Sequence, residues 1–229
     1  MIHPWIILFD VDGTLLNVQN TFMRPLLRGI VDELEISYEG IETDSFSGRT
    51  DFDIFSSFLV NHAYDQRLYM KLKNTYLQRL SVNLEPKHVS KLAFVDEAIS
   101  YFSKEGFILG LLTGNFPEAA KIKLEGANIT LDYTISAFGD SFKDRNMLPK
   151  LAKQEATEML NHEVDPQRCV IVGDTPNDIL CAKNNGMKSV AVATGMYSKE
   201  ILKTYEPDLI LDSLKNPHYW FQEFNPFVS

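Results

Sequence analysis

Cysteine is scarce in this 229-residue chain, which holds only Cys169 and Cys181. Two thiols without CxxC spacing make neither a disulfide framework nor a zinc site, so the expectation is two small buried hydrophobes. Basic residues are also in deficit: 22 stand against 31 acidic ones, giving a formal charge of −9 and a pI of about 5.0. Nucleic-acid backbones want a basic surface, which excludes nucleic acid as the main partner. A small phosphorylated ligand is not excluded, because a metal ion or a lysine inverts the field inside a pocket. No apolar run approaches the length that spans a bilayer. The first ten residues lack the basic start and the long apolar stretch of a signal peptide. The expectations are therefore no membrane partner and a cytoplasmic location; the oligomeric state is not legible. His3, His62, His88, His162 and His218 are scattered, none beside a cysteine or carboxylate at metal-ligand spacing. There are no internal repeats.

The length and the 45% hydrophobic share suffice for one large domain, or a domain with a smaller companion, cored without cross-links. Short apolar runs at residues 5–9, 107–112, 168–172, 189–193 and 209–211, with a weaker one at 133–137, read as buried strands. Helical patterns fall between them at 96–104, 117–124, 146–160, 177–184 and 198–204. Such alternation predicts an α/β fold: a three-layer, Rossmann-like parallel sheet that binds ligands at the C-terminal ends of its strands. Residues 15–88 break the rhythm. Apolar residues there recur at helical spacing, as in Leu68, Leu72, Tyr76 and Leu80, and predict an all-helical insert at 22–34, 51–61 and 65–80. The predicted domains are a core of residues 1–14 and 89–229 and a helical segment of 15–88. The aromatic tail, Tyr219, Trp220, Phe221, Phe224 and Phe227, is expected to pack on the core, with an oligomer contact as the other reading.

Three motifs fall at predicted strand ends. The first is Asp10-Val11-Asp12-Gly13-Thr14-Leu15. Its two carboxylates approach one site if the strand gives way to a loop, and Gly13 permits the turn. One carboxylate attacks phosphorus and holds a cation, while the other holds a proton for the leaving group. The second motif, Thr113-Gly114-Asn115 ahead of Pro117, offers a hydroxyl and amides as a phosphate-binding corner; it reads equally as a plain turn. The third, Gly173-Asp174-Thr175-Pro176-Asn177-Asp178, adds two carboxylates. Mg²⁺ takes oxygen ligands, and Asp10, Asp174 and the Asp12 carbonyl would make a sensible set. An N-cap built from Thr175 or Asn177 is the competing reading.

This set, in this order along nearly the whole chain, resembles the haloacid dehalogenase-like superfamily. The insert stands where that family carries its helical C1 cap, and Ser47-Gly48-Arg49-Thr50-Asp51 looks like the cap loop of phosphoglycolate phosphatase-like members. The resemblance implies a core with a five-stranded parallel centre under a mobile lid. It further implies a Mg²⁺-dependent phosphohydrolase acting on a small phosphorylated metabolite. Asp10 would form an aspartyl-phosphate and Asp12 would act as acid, then base. Thr113, Gly114 and Asn115 would bind phosphate, and Asp10, Asp12, Asp174 and Asp178 would serve the metal. The family's phosphate-binding Lys-Pro step is missing. Lys143, Arg145 and Lys150 compete for that role, and Arg145 is favoured because it stands where a helix should begin and its guanidinium clamps phosphate in two places. Arg49 either reaches the substrate or pairs with Asp51 or Asp53.

Three other readings compete. A haloacid dehalogenase needs the nucleophile but neither Asp12 nor Asp174. A phosphoglucomutase-like phosphotransferase shares the core and differs in the cap. A non-catalytic module has no need for converging carboxylates.

Overall fold

The computed structural model describes residues 4–61 and 65–225; His3, His62 and Phe227 lie outside them. The first strand, β1 (Ile6–Phe9), is buried along its whole length. It continues into β2 (Leu16–Val18) and then α1 (Asn20–Glu33), α2 (Asp51–Phe58) and α3 (Gln66–Asn83). After β3 (Val89–Lys91) the chain alternates: α4 (Val95–Lys104), β4 (Ile108–Thr113), α5 (Pro117–Gly126), β5 (Ile135–Phe138) and α6 (Leu148–Leu160). It ends with β6 (Cys169–Gly173), α7 (Pro176–Asn184), β7 (Lys188–Val192), α8 (Lys199–Lys203), β8 (Leu209–Leu211) and α9 (Pro217–Phe221).

Six strands form one parallel sheet in the order β5-β4-β1-β6-β7-β8. All six predicted apolar runs lie in it, so the sheet is one strand wider than the five-stranded centre the resemblance implied. Side chains alternate across β1. Ile7 and Phe9 join a cluster with Val95, Ala98, Phe102 and Phe221 on one face. Ile6 and Leu8 join Leu148, Ala152, Ala156, Cys181 and Ala182 on the other. A sheet covered on both faces needs apolar residues at every strand position, which is why these strands read as continuous runs. Removing one such ring, as in Phe102→Ala, would cost about 3–5 kcal/mol. Both cysteines are buried and unpaired, as expected. The aromatic tail packs on the core: Trp220 and Phe221 are buried, and the Phe221 ring meets Trp5 edge-on at 5.1 Å. Tyr219 remains exposed.

The segment after β1 is not purely helical. Leu16–Val18 pairs antiparallel with Val89–Lys91, a ribbon too short for alternation to reveal. Beyond it, α1, α2 and α3 gather their own cluster around Phe55, Phe58, Leu72 and Leu80, and that cluster also takes in Phe116 and Ala119 at the start of α5. The helical segment is thus seated on the helix that follows β4. No helix among the described residues is long and apolar enough to cross a membrane.

Candidate active site

The sheet order places β4 and β6 on either side of β1. Phe9 is in register with Leu111 and with Val172, so Asp10, Thr113 and Asp174 leave three neighbouring strand ends on the same edge. Chain order reverses at β1, the position where open α/β sheets form their ligand crevice.

Asp10, Asp174 and Asp178 bring carboxylate oxygens within 4.8 Å of one another, and all three residues are buried. Arg145 is buried beside them, with one Nη2 lying 3.0 Å from Asp10 Oδ1 and 2.5 Å from Asp178 Oδ1. Lys143 and Lys150 are exposed. Burial raises the Asp10 carboxyl to about 6; Arg145 opposes this, and Asp178 and Asp12 add to it. Asp174 is likewise raised by burial and by its two carboxylate neighbours. Burial alone would lower Arg145, but Asp178 and Asp10 outweigh it and hold the guanidinium charged. Thr175 fills the N-cap role considered for this motif, and Asp178 is its capping-box partner. Thr175 caps α7, and the Asp178 carboxylate accepts from the Thr175 amide at 3.0 Å and its hydroxyl at 2.6 Å. Gly13 sits at φ +83°, and a Cβ there would collide with the Asp174 carboxylate. The Asp174 hydroxyl partner is Thr14 Oγ1, which donates to Oδ1 at 3.4 Å.

The Asp12 side chain is not part of this cluster. Its Oδ2 accepts from Lys123 Nζ and from Asn115 Nδ2, each at 2.7 Å. Asn115 Nδ2 also donates to Thr113 Oγ1 at 2.8 Å, while its Oδ1 accepts from Lys123 at 2.6 Å. Asp12, Thr113, Asn115 and Lys123 therefore form one closed network. Lys123 is buried. Desolvation favours its neutral form, but Asp12, Tyr76 and Asp51 outweigh that and raise its pKa. Sequence reasoning passed over this residue. The signal was there: Ala119, Ala120, Lys123 and Leu124 are the buried face of α5, and a lysine on an apolar face requires a partner.

The loop ahead of α2 closes over the site. Asp51 N donates to Gly114 O at 2.6 Å and Phe52 N to Gly139 O at 2.9 Å. Asp51 Oδ2 accepts from Phe116 N at 2.7 Å and so caps the start of α5. Burial, opposed by Lys123, raises that carboxyl to about 6. Thr50 Oγ1 donates to Phe142 O at 2.7 Å, and Asn177 Nδ2 donates to Gly48 O at 2.7 Å. A Cβ on Gly114 would strike the Arg49 carbonyl. Of the two partners considered for Arg49, the structure shows Asp53, with Nε–H to Oδ2 at 2.7 Å; Arg49 also lines the cavity. That cavity, about 500 Å³, runs from Asp10, Asp174 and Arg145 up between the helices to Phe55 and Tyr76.

The donor set fits a hard divalent cation. It is all oxygen, it is buried, and its carboxylates repel one another in a way that a doubly positive ion relieves. Asp10, Asp174 and Asp178 are the side chains that could hold Mg²⁺.

Comparison with known proteins agrees with this arrangement. A family profile described as haloacid dehalogenase-like hydrolase matches residues 7–192. Pyrophosphatase PpaX of Bacillus anthracis is 24% identical over 210 residues, covering 92% of this chain and 93% of the relative. PpaX of Bacillus cereus is 23% identical over the same length. Among solved structures, a predicted phosphoglycolate phosphatase from Haemophilus somnus superposes with a TM-score of 0.73 at 20% identity, covering 97% of this chain and 100% of that one. CbbY from Rhodobacter sphaeroides, bound to phosphate, gives 0.71 at 18% identity, covering 93% and 96%.

Proposed function

The chain belongs to the haloacid dehalogenase-like hydrolases, and from that premise we propose that it is a Mg²⁺-dependent phosphatase working through an aspartyl-phosphate. The observation that carries this reading is the meeting of Asp10, Asp174 and Asp178 at one sheet edge, with Arg145 Nη2 3.0 Å from Asp10. A scaffold has no use for three buried carboxylates, whose desolvation is costly.

In the first half-reaction an Asp10 carboxylate oxygen attacks phosphorus, and the bond from phosphorus to the ester oxygen breaks. Asp12 gives that oxygen a proton and the alcohol leaves. In the second half, Asp12 takes a proton from water, whose oxygen displaces Asp10 and releases inorganic phosphate. Lys123 and Asn115 fix the Asp12 carboxylate, and proton transfer by a held group is worth roughly 10²–10⁴ in rate. Arg145, Thr113 and the Gly114 amide hold the phosphoryl oxygens as negative charge shifts among them. Bound Mg²⁺ would neutralise charge between the carboxylates and the phosphoryl group. The segment α1–α3 acts as the lid, excluding water and bulky substrates.

The test is phosphate release from an aryl phosphate with and without Mg²⁺, using the wild type and Asp10→Asn. The reading requires turnover that depends on Mg²⁺ and vanishes in the variant. An Asn variant with normal turnover removes Asp10 as nucleophile.

A further inference from the structure

Asn115 is the hub of the network that holds Asp12. Its Nδ2 donates to Asp12 Oδ2 at 2.7 Å and to Thr113 Oγ1 at 2.8 Å, and its Oδ1 accepts from Lys123 Nζ at 2.6 Å. The main chain on either side of this hub is held from the helical segment. Asp51 N donates to the Gly114 carbonyl at 2.6 Å, one residue before Asn115. Asp51 Oδ2 accepts from Phe116 N at 2.7 Å, one residue after it. A single residue therefore brackets the hub, its amide tied on one side and its carboxylate on the other.

The core is shaped to receive this bracket. Helix α5 starts from Phe116, which has no side-chain acceptor to offer, and the helix has no side-chain cap of its own. The Asn115 side chain, the nearest polar one, is already spent on the network. An amide at a helix start has no partner within its helix; a carboxylate placed there satisfies it and suits the positive end of the helix dipole. Asp51 also lies in the first turn of α2, so one carboxylate serves the starts of two helices, one on each side of the joint. Glycine at positions 114 and 139 permits the close approach. A Cβ on Gly114 would strike the Arg49 carbonyl, and one on Gly139 would strike the Gly114 carbonyl. Gly139 N donates to Asn115 O at 3.0 Å, and Gly139 O accepts from Phe52 N at 2.9 Å. The hub's own carbonyl is thus linked, through one intermediary, to the residue after Asp51. Asp51 further joins Asp12 and Tyr76 in keeping the buried Lys123 charged against desolvation.

We infer that Asp51 is a positioning residue, which brackets Asn115 and so sets the Asp12 carboxylate in place while the helical segment is seated on the core. The inference rests on the phosphatase reading above. With the segment lifted, the Phe116 amide loses its acceptor and the main chain of residues 114–116 loses both ties to Asp51. The side chain that carries Asp12 then hangs from a looser backbone. Proton transfer needs the acid within hydrogen-bond reach of the leaving oxygen, so the seating of α2 and the readiness of Asp12 are one event.

The experiment measures kcat and KM for phosphate release from phenyl phosphate in Mg²⁺, across a cycle of wild type, Asp51→Ala, Asn115→Ala and the double variant. Asp51→Ala is expected to lower kcat about fivefold or more. In the Asn115→Ala background the hub is already gone, and the same change should cost less than half that factor. A lost folded fraction multiplies both backgrounds alike, so it cannot mimic this result. A smaller fall in kcat for Asp51→Ala, a fall carried by KM alone, or a factor in the Asn115→Ala background more than half that in wild type overturns the inference and leaves the phosphatase reading standing. Asp51→Asn keeps an acceptor for the Phe116 amide and should hold kcat within about threefold of wild type. It decides the matter if the alanine variant does not fold: a larger loss with asparagine would show that the bracket is not what Asp51 contributes. No release by the wild type defeats the phosphatase reading, and this inference with it.

Discussion

Lys123 Nζ lies 2.7 Å from Asp12 Oδ2 across 111 residues of chain. One residue belongs to the loop after β1 and the other to the second turn of α5. The contact ties the acid proposed for the reaction to the helix on which the segment α1–α3 is seated.

Replacing that lysine should therefore touch proton transfer selectively. Lys123→Met is expected to lower kcat by ten- to a hundredfold on an alkyl phosphate, whose leaving oxygen needs a proton. On p-nitrophenyl phosphate, whose leaving group departs unprotonated, the loss should be under fivefold. Equal losses on both would assign Lys123 a packing role, and Lys123→Arg should recover part of the alkyl activity.

Asp51 supplies a pH dependence of stability. Its folded-state pKa is about 6 against an ordinary 3.8. Between those values the folded protein binds more protons than the unfolded chain, so this group's contribution falls as pH rises from 4 through 6 and is fully unfavourable above that. Asp51→Asn keeps an acceptor for the Phe116 amide and removes the titration. The melting temperature of the variant relative to wild type should climb across pH 4–7. A flat difference would show that the carboxyl titrates normally.

Gly114→Ala tests the closure. The added methyl meets the Arg49 carbonyl, and main chain cannot yield cheaply. A loss of about 1–3 kcal/mol in stability is expected from overpacking of this kind, measured by urea denaturation. kcat and KM should change together if the lid then closes poorly, and unaltered values of all three would mean that the loop moves aside.

Cation binding is readable without turnover. Mg²⁺ at a hundred times its Kd should stabilise the protein by about 2.7 kcal/mol, seen as a rise in melting temperature at pH 8. Asp174→Ala should abolish the rise. A full response in that variant would place the ion elsewhere.

Much of the architecture was legible in the sequence because burial on two faces leaves a plain mark. Residues 6–9 are apolar without interruption, and a polar, glycine-containing loop follows. Pro117 and Pro176 mark helix starts that the structure places at those residues. The short ribbon of β2 and β3 left no such mark, since three residues cannot establish a period. Arg145 was favoured over Lys143 and Lys150 on its place before a helix, and it alone of the three is buried. Lys123 was missed because attention went to strand ends. A cation contributed from the flank of a helix is invisible until one asks why the apolar face of α5 tolerates it. For Asp12 the expectation was a main-chain carbonyl toward the metal and proton transfer by the carboxylate. The structure turns it toward Lys123 and Asn115, because two positions past the strand the chain has already curled into the Gly13 turn.

The contacts of Asp51 N and Phe52 N with Gly114 and Gly139 are made by main-chain atoms on both sides. A joint of that kind depends little on side chains beyond the room that Gly114 and Gly139 leave for it. The walls of the chamber above can be rewritten residue by residue, changing what the enzyme accepts, while the way its two halves meet stays the same.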